Sequence, residues 1–296
     1  MIIILNGLPQ KKKKFYSTYY PSLQKHFSFE VLETQYASHA EELSFDAAEK
    51  DCPLILVAGG DGTLHQVLNG IMRSNRGSTA IGLIPLGSAN DFAKCCKLNT
   101  GPEHIIMLLN AMQLKSTDVG KINCVGPSGT NTQRYFMNEC SLGMGTEVVR
   151  RLAGNKSPLG PGFSYLSSIF LTFLTHRPQA VACKTPRWEW KGNARVVAMA
   201  NGKSFGNSTY IAPDASIDDG VLNSFIAGNV PLWKFLIYLQ TLKGKKKIKD
   251  SAIHYQSTMS AELTATESCP LEADGELVGT LPARIEILTG KIKFLR

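Results

Sequence analysis

The stretch Ile55–Gly70, ILVAGGDGTLHQVLNG, decides how this chain is read. Four apolar residues without polar alternation describe a buried strand. They run directly into Gly59, Gly60 and Gly62, which surround a single acid, Asp61, and then into a helix that Thr63 is placed to cap. A strand, a glycine turn and a helix in that order form a phosphate-facing corner. The glycines let the backbone approach a ligand, and the helix start offers free N–H groups and the positive end of its dipole. The turn is not a Walker loop, because no Gly-Lys-Ser/Thr follows, and it is not G-x-G-x-x-G, because His65 fills the last place.

Working outward, strands are expected at Ile2–Leu5, Leu54–Ala58 and Ala80–Ile84, alternating with helices near 37–49, 63–72 and 104–112. That alternation is the mark of a parallel sheet with crossover helices. A second turn, LIPLGSANDFA, leaves the third strand as the first turn leaves the second. Pro85 and Gly87 shape it, and Ser88, Asn90 and Asp91 supply polar contacts. After about Asp118 the texture changes to short β-prone runs, RYFMNECSLG, ARVVAMANG, GVLNSFIAG and ARIEILTG, broken by turn residues. These describe an antiparallel sheet domain carrying helical insertions near 164–174 and 232–242. The fold class expected is α/β plus all-β. The first domain covers residues 1–118, with the tail near 285–296 free to return to it, and the second covers 119–296.

Composition narrows the class without choosing a ligand. The chain has 296 residues, 43% hydrophobic and 19% charged, which excludes wholesale disorder and a multispanning membrane protein. The longest apolar windows, SYLSSIFLTFL and VPLWKFLIYLQTL, are too short to span a bilayer. Seven cysteines without a C-x-x-C pair suit neither a disulfide framework nor a zinc site, and point to a reducing cytoplasm. A net charge of +8 marks an affinity for something anionic. The six histidines show no metal spacing and are expected at surface or capping positions.

VAGGDGTLHQVLNG followed by IGLIPLGSANDFA resembles the signature of the diacylglycerol kinase catalytic domain superfamily, in its bacterial soluble lipid kinase branch. The likeness continues in VVAMANGKSFGNSTYIAPDASIDDGVLNSFIA and LEADGELVGTLPARIEILTG. It implies an N-terminal nucleotide-binding α/β domain of the NAD kinase and phosphofructokinase kind, followed by a C-terminal β-sandwich. It further implies that Gly59, Gly60, Asp61, Gly62 and Thr63 cradle the ATP phosphates together with Gly87, Ser88 and Asn90. Thr34 matches a threonine beside the nucleotide. In the first-strand loop NGLPQKKKK only Asn6 matches, and LHQV stands where Leu-Asn-Glu-Val is commoner.

Moving a phosphoryl group to an alcohol requires neutralised phosphates, in-line positioning and a carboxylate near the hydroxyl proton. Asp274 and Glu276 flank Gly275 in a segment that alone reads as a hairpin turn. The resemblance makes Glu276 the general base, with Asp61 and Asp274 on the metal and hydroxyl side. It also implies a structural Mg²⁺ held by Asp219 and the carbonyls of Ser216 and Val221, in a loop that otherwise reads as a solvated turn. The reading is an ATP- and Mg²⁺-dependent kinase of a diacylglycerol-like or sphingoid lipid. The alternatives are a soluble-substrate kinase related to NAD kinase and a catalytically inactive nucleotide- or lipid-binding module. The runs Lys11–Lys14 and Lys243–Asp250 read as solvated surface or as contacts to an anionic membrane. Neither is interleaved with the aromatics that nucleic acid calls for. Peripheral attachment from the cytoplasm is expected, and a homodimer is left open. The stretch FSYLSSIFLTFL reads as core, with an acyl-chain pocket as the alternative.

Overall fold

The computed structural model describes residues 1–296 apart from 75, 77, 155–160 and 207. The chain divides into two compact units, Met1–Val119 with Thr289–Arg296, and Gly120–Leu288.

In the first unit, β1 (Ile2–Leu5) is followed by α1 (Pro9–Lys14), which runs through a π-helical turn (Phe15–Tyr19) into α2 (Tyr20–Leu23). Then come β2 (Glu30–Glu33), α3 (His39–Glu49), β3 (Leu54–Gly59), α4 (Asp61–Arg73), β4 (Ala80–Pro85), α5 (Asp91–Cys95), α6 (Pro102–Ala111) and the start of β5 (Leu114–Val125). The strands lie parallel in the order β4–β3–β1–β2, with Ile3 between Leu56 and Val31. Every residue of β3 and β4 is buried, the condition of strands covered on both faces. The chain end returns to this unit: Phe294 pairs in parallel with Ile81 and meets Phe92 edge-on at 5.1 Å. Because β2 lies on one side of β1 and β3 on the other, the winding reverses between β1 and β3. At such a reversal the loops leaving the strand ends diverge and open a ligand crevice.

The second unit holds β6 (Asn131–Phe136), β7 (Glu139–Gly143), α7 (Met144–Gly154), α8 (Pro161–Thr175), β8 (Gln179–Lys184), β9 (Glu189–Ala200), β10 (Leu222–Gly228) and α9 (Leu232–Lys243). It continues through β11 (Ile253–Thr258), β12 (Ser260–Ala265), β13 (Pro270–Ala273) and β14 (Glu276–Leu295), whose last residues belong to the first unit. All its registered pairings are antiparallel. The pairing path runs β9–β7–β13–β14–β12–β8 and returns to β9, enclosing Leu142, Val197, Met199, Leu271 and Ile285. This is the all-β sandwich that the change of texture announced. The run RYFMNECSLG is split into β6 and β7 at Met137 and Asn138, whose N–H groups leave the ladder for the carboxylate of Asp274. The expectation that FSYLSSIFLTFL is core is corrected. Phe170, Leu171 and Leu174 on α8 are exposed, while Ile169 and Phe173 carry its buried side; the side chains of 163–166 lie outside the described residues.

Helices α3 and α4 cross at Gly70, where an added Cβ would lie 2.0 Å from Ser44 Oγ and 2.2 Å from the backbone oxygen of Glu41. Alanine in an exposed helix gains about 1 kcal/mol over glycine. Overpacking a close helix crossing costs about 1–3 kcal/mol, so the net sign is loss. Gly70→Ala is expected to lower the urea midpoint of unfolding; an unchanged or higher midpoint would show that α3 yields.

Candidate active site

In the first unit, the crevice at the ends of β1 and β3 is built from backbone. The N-cap of α4 is Gly60, with no side-chain cap, so the helix start faces outward with its N–H groups and positive dipole end. The two glycine turns meet main chain to main chain: a Cβ on Gly87 would lie 2.6 Å from Gly60 Cα, and one on Gly60 would lie 2.9 Å from Gly87 Cα. Side chains there would force the turns apart. Asp61 spends its carboxylate on this arrangement, accepting the N–H groups of Asp91 at 3.2 Å and Phe92 at 3.1 Å. It thus supplies the start of α5 with acceptors. Asn90, in the left-handed region at φ 51°, closes its own turn by accepting Gly87 N–H and donating to Gly87 O, both at 2.8 Å. Ser88 is exposed in the same turn.

Thr63 does not cap α4. It lies against Gly59, where a Cβ would come within 2.6 Å of it, and its hydroxyl accepts the side-chain N–H of Asn6 at 2.9 Å. That bond joins the ends of β1 and β3 across the winding reversal. Thr34 does the corresponding work on the other side of β1, accepting Gly7 N–H at 2.9 Å. The fold therefore gathers Asn6, Thr34, Gly59–Thr63, Gly87 and Asn90 into one rim. His65 is buried in α4 beside Asn69, against the surface position expected of it.

Lys11 is a residue of the rim that the sequence does not single out. It belongs to a run that reads as solvated surface or membrane contact, but α1 turns it inward: its Nζ lies 3.7 Å from the Cβ position of Gly60. Burial pulls its ammonium below the ordinary lysine value, and the Asp61 carboxylate partly offsets this. Such a half-buried cation beside two glycine turns gains most from an arriving phosphate. Lys12 pairs with Glu33, so the four-lysine run is not one solvated patch. The available signal was periodicity: Pro9 begins a helix, and only one lysine of a short amphipathic helix needs to face the sheet.

In the second unit, Asp274 and Gly275 form the two-residue turn of the β13–β14 hairpin, both with positive φ (51° and 87°), and Ala273 pairs with Glu276. This is the Asp-Gly hairpin read from the sequence. The Asp274 carboxylate folds back to accept Met137 N–H (2.9 Å), Asn138 N–H (2.9 Å) and Glu139 N–H (3.1 Å). Glu276, next along, is exposed. Of the three acids proposed for catalysis, Asp61 and Asp274 accept backbone donors, and Glu276 is the one at an exposed position.

Behind the turn lie two buried acids that no motif announced, Glu139 and Glu272. Glu272 accepts Ser141 Oγ–H and, at 3.0 Å, Gly275 N–H. Burial first, then the like charge of Glu272, pushes the Glu139 carboxyl well above the usual range, and burial raises Glu272. With two carboxyls buried in like charge, one of the pair keeps its proton, so that the two share one.

Ser216, Asp219 and Val221 lie on a separate loop leading into β10. Asp219 accepts Val221 N–H at 3.1 Å, and Ser216 Oγ donates to Asp218 at 2.6 Å. The described residues contain no cluster of three or more His, Cys, Asp or Glu able to hold a metal. An ion on this loop would depend on one carboxylate, main-chain carbonyls and water, an all-oxygen set of the hard kind that Mg²⁺ takes. On donor chemistry the loop fits the ion.

The acid pair makes stability depend on pH. A carboxyl whose folded pKa is raised stabilises the fold below its ordinary value and loses that contribution as pH rises through the folded pKa. Glu272→Gln keeps an acceptor for Gly275 N–H and gains a donor for Glu139. Wild-type Tm is expected to fall between pH 5 and pH 8 more steeply than that of Glu272→Gln; parallel melting profiles would dispose of the shared proton.

Residues 1–122 match the family model for the diacylglycerol kinase catalytic domain, and residues 140–296 match that for the YegS C-terminal NAD kinase beta sandwich-like domain. A relative from Serratia proteamaculans (strain 568), "Probable lipid kinase YegS-like", is 28% identical over 251 residues, 84% of this chain and 78% of that one. "Diacylglycerol kinase" of Staphylococcus carnosus (strain TM300) is 29% identical over 275 residues, 90% of this chain and 86% of that one. Two crystal structures share the fold. A diacylglycerol kinase from Bacillus anthracis str. Sterne superposes with TM-score 0.74 at 20% identity, covering 99% of this chain and 96% of that one. Yeast NADH kinase complexed with NADH reaches TM-score 0.50 at 11% identity, covering 99% and 81%. With both halves matched in order, the chain belongs to the diacylglycerol kinase catalytic domain family and is a kinase of its YegS-like lipid kinase branch.

Proposed function

We propose that this kinase transfers the γ-phosphoryl group of ATP to the free hydroxyl of a diacylglycerol-like or sphingoid lipid, working from the cytoplasm at an anionic membrane surface. The observation that carries the nucleotide half is the Gly60–Gly87 contact beside the half-buried Lys11 ammonium. Together they offer main-chain donors, a helix dipole and a desolvated cation to one polyphosphate, the combination that stabilises charge spreading over transferring phosphoryl oxygens.

Within this reading each residue has a separate task. Gly60, Gly62 and Gly87 admit the phosphates to the backbone, and Asp61 and Asn90 hold the two turns in register. Asn6 and Thr34 fix the loops at the neighbouring strand ends. Lys11 neutralises charge on the phosphate oxygens as the bond to the leaving ADP breaks. Glu276 takes the proton from the attacking hydroxyl, because its carboxylate is the exposed one and its hairpin is fixed by Asp274. Mg²⁺ bound with the nucleotide supplies Lewis-acid neutralisation of the β- and γ-phosphate oxygens, and a second, structural ion fits Asp219 with the carbonyls of Ser216 and Val221. Incubation with labelled ATP, Mg²⁺ and a panel of micellar lipids, followed by chromatography of the organic phase, tests the activity directly. Label confined to water-soluble products would refute it.

Two substitutions separate the tasks. Glu276→Gln is expected to lower kcat by roughly 10²–10⁴, with ATP affinity and Tm unchanged, since an exposed hairpin residue carries little stability. Lys11→Met is expected to weaken ATP binding by about tenfold or more, equivalent to ~1.4 kcal/mol, without loss of Tm, since it removes an ammonium that is costly to bury. Unchanged kcat in the first, or unchanged ATP affinity in the second, would strip that residue of its role.

A further inference from the structure

Helices α8 and α9 present two exposed apolar stripes that no nucleotide or catalytic argument uses. On α9, Trp233, Leu236 and Ile237 stand at i, i+3 and i+4, with Trp233 61% and Ile237 55% exposed. On α8, Phe170, Leu171 and Leu174 stand at i, i+1 and i+4, with Leu174 56% exposed. The helices are joined underneath by the stacked rings of Phe173 and Phe235, 4.2 Å apart. Between them runs a groove of about 700 Å³ lined by Phe170, Phe235, Leu236, Ile237 and Lys243 among others. The chain then leaves α9 through KGKKKIK, where Lys243, Lys245, Lys246, Lys247 and Lys249 are all exposed. A contiguous apolar face of this kind marks an interaction surface.

We infer that this face is a membrane-docking surface: the α8–α9 stripes enter the headgroup and acyl boundary of an anionic bilayer while the lysines after α9 meet its surface charge. The choice of occupant rests on the proposed lipid acceptor and on charge. A second copy packed isologously on this face would bring two lysine clusters towards one another, an arrangement that like charge opposes. A bilayer containing anionic lipid instead attracts each lysine near its surface. Trp233, with the Lys234 ammonium 5.8 Å from its ring centroid, has the amphipathic character of an interfacial anchor. No helix among the described residues is long and apolar enough to cross a membrane, so the helices lie in the interface.

The test uses the full chain with vesicles of phosphatidylcholine mixed with anionic phosphatidylglycerol. Wild type is expected to co-sediment with these vesicles and to show a blue shift of tryptophan emission that Trp233→Phe removes. The double variant Leu236→Gln, Ile237→Gln should bind at least about tenfold more weakly, because each lost insertion is worth more than the ~1.4 kcal/mol of one decade. Lys243→Gln, Lys246→Gln and Lys249→Gln together should weaken binding in the way that added salt does, through screening over about 8 Å. Both variants should retain wild-type Tm and the wild-type rate on dissolved dioctanoylglycerol. Unchanged vesicle binding in the double variant overturns the inference. So does a wild-type dimer in sedimentation equilibrium that the double variant loses while still binding vesicles, since the face then belongs to a second copy. Vesicle binding that behaves as expected in a protein inert towards every lipid would leave the surface standing and remove the proposed acceptor.

Discussion

The first unit depends on one approach of backbone to backbone, Gly60 against Gly87. Both residues lie in the turns that follow neighbouring strands, β3 and β4, and the sheet spacing of about 4.8 Å brings those turns close whether or not the side chains allow it. Glycine at both positions lets the turns meet instead of splaying. Asp61 then ties them by accepting the amides of Asp91 and Phe92, so the start of α4 and the start of α5 are fixed by a single carboxylate. What the site offers an anion lies beside that contact: a helix start without a side-chain cap and the Lys11 ammonium.

The same economy governs the second unit. Asp274 has the left-handed conformation that an Asp-Gly hairpin requires and spends its carboxylate on three amides of the β6–β7 break. An acid whose oxygens accept several N–H donors is held in one place, which suits a frame. Glu276, one residue past the turn, inherits a fixed backbone and lies at an exposed position. Glu139 and Glu272 lie behind it at a desolvation cost that only a shared proton makes tolerable. Asp61 and Asp274 thus hold geometry, while Glu276 is the exposed acid of the three.

The positive charge is divided in a similar way. Lys11 faces the turns and Lys12 is paired with Glu33, while the lysines after α9 remain at the surface beside apolar helix faces. A net charge of +8 is therefore not one electrostatic feature. A desolvated cation acts at bonding distance and is little screened, whereas a surface cluster acts through a field that salt removes.

The sequence by itself determined the class of fold and singled out most of the residues that meet in the rim at the ends of β1 and β3. Buried strands, glycine turns and helix periodicity are local properties, and β1, β3 and β4 needed only their own residues to be legible. The Asp-Gly turn was legible for the same reason, since its positive φ values are demanded by chain geometry. Tertiary structure decided which partner each polar group takes. Thr63 was placed to cap its helix, but the neighbouring strand end offered it Asn6 instead. Lys11 looked like its three neighbours until α1 was oriented on the sheet, and Glu139 and Glu272 met only because β7 pairs with β13. Hydrogen bonds and burial join residues far apart in the chain, so the spacing that reveals a turn carries no trace of them.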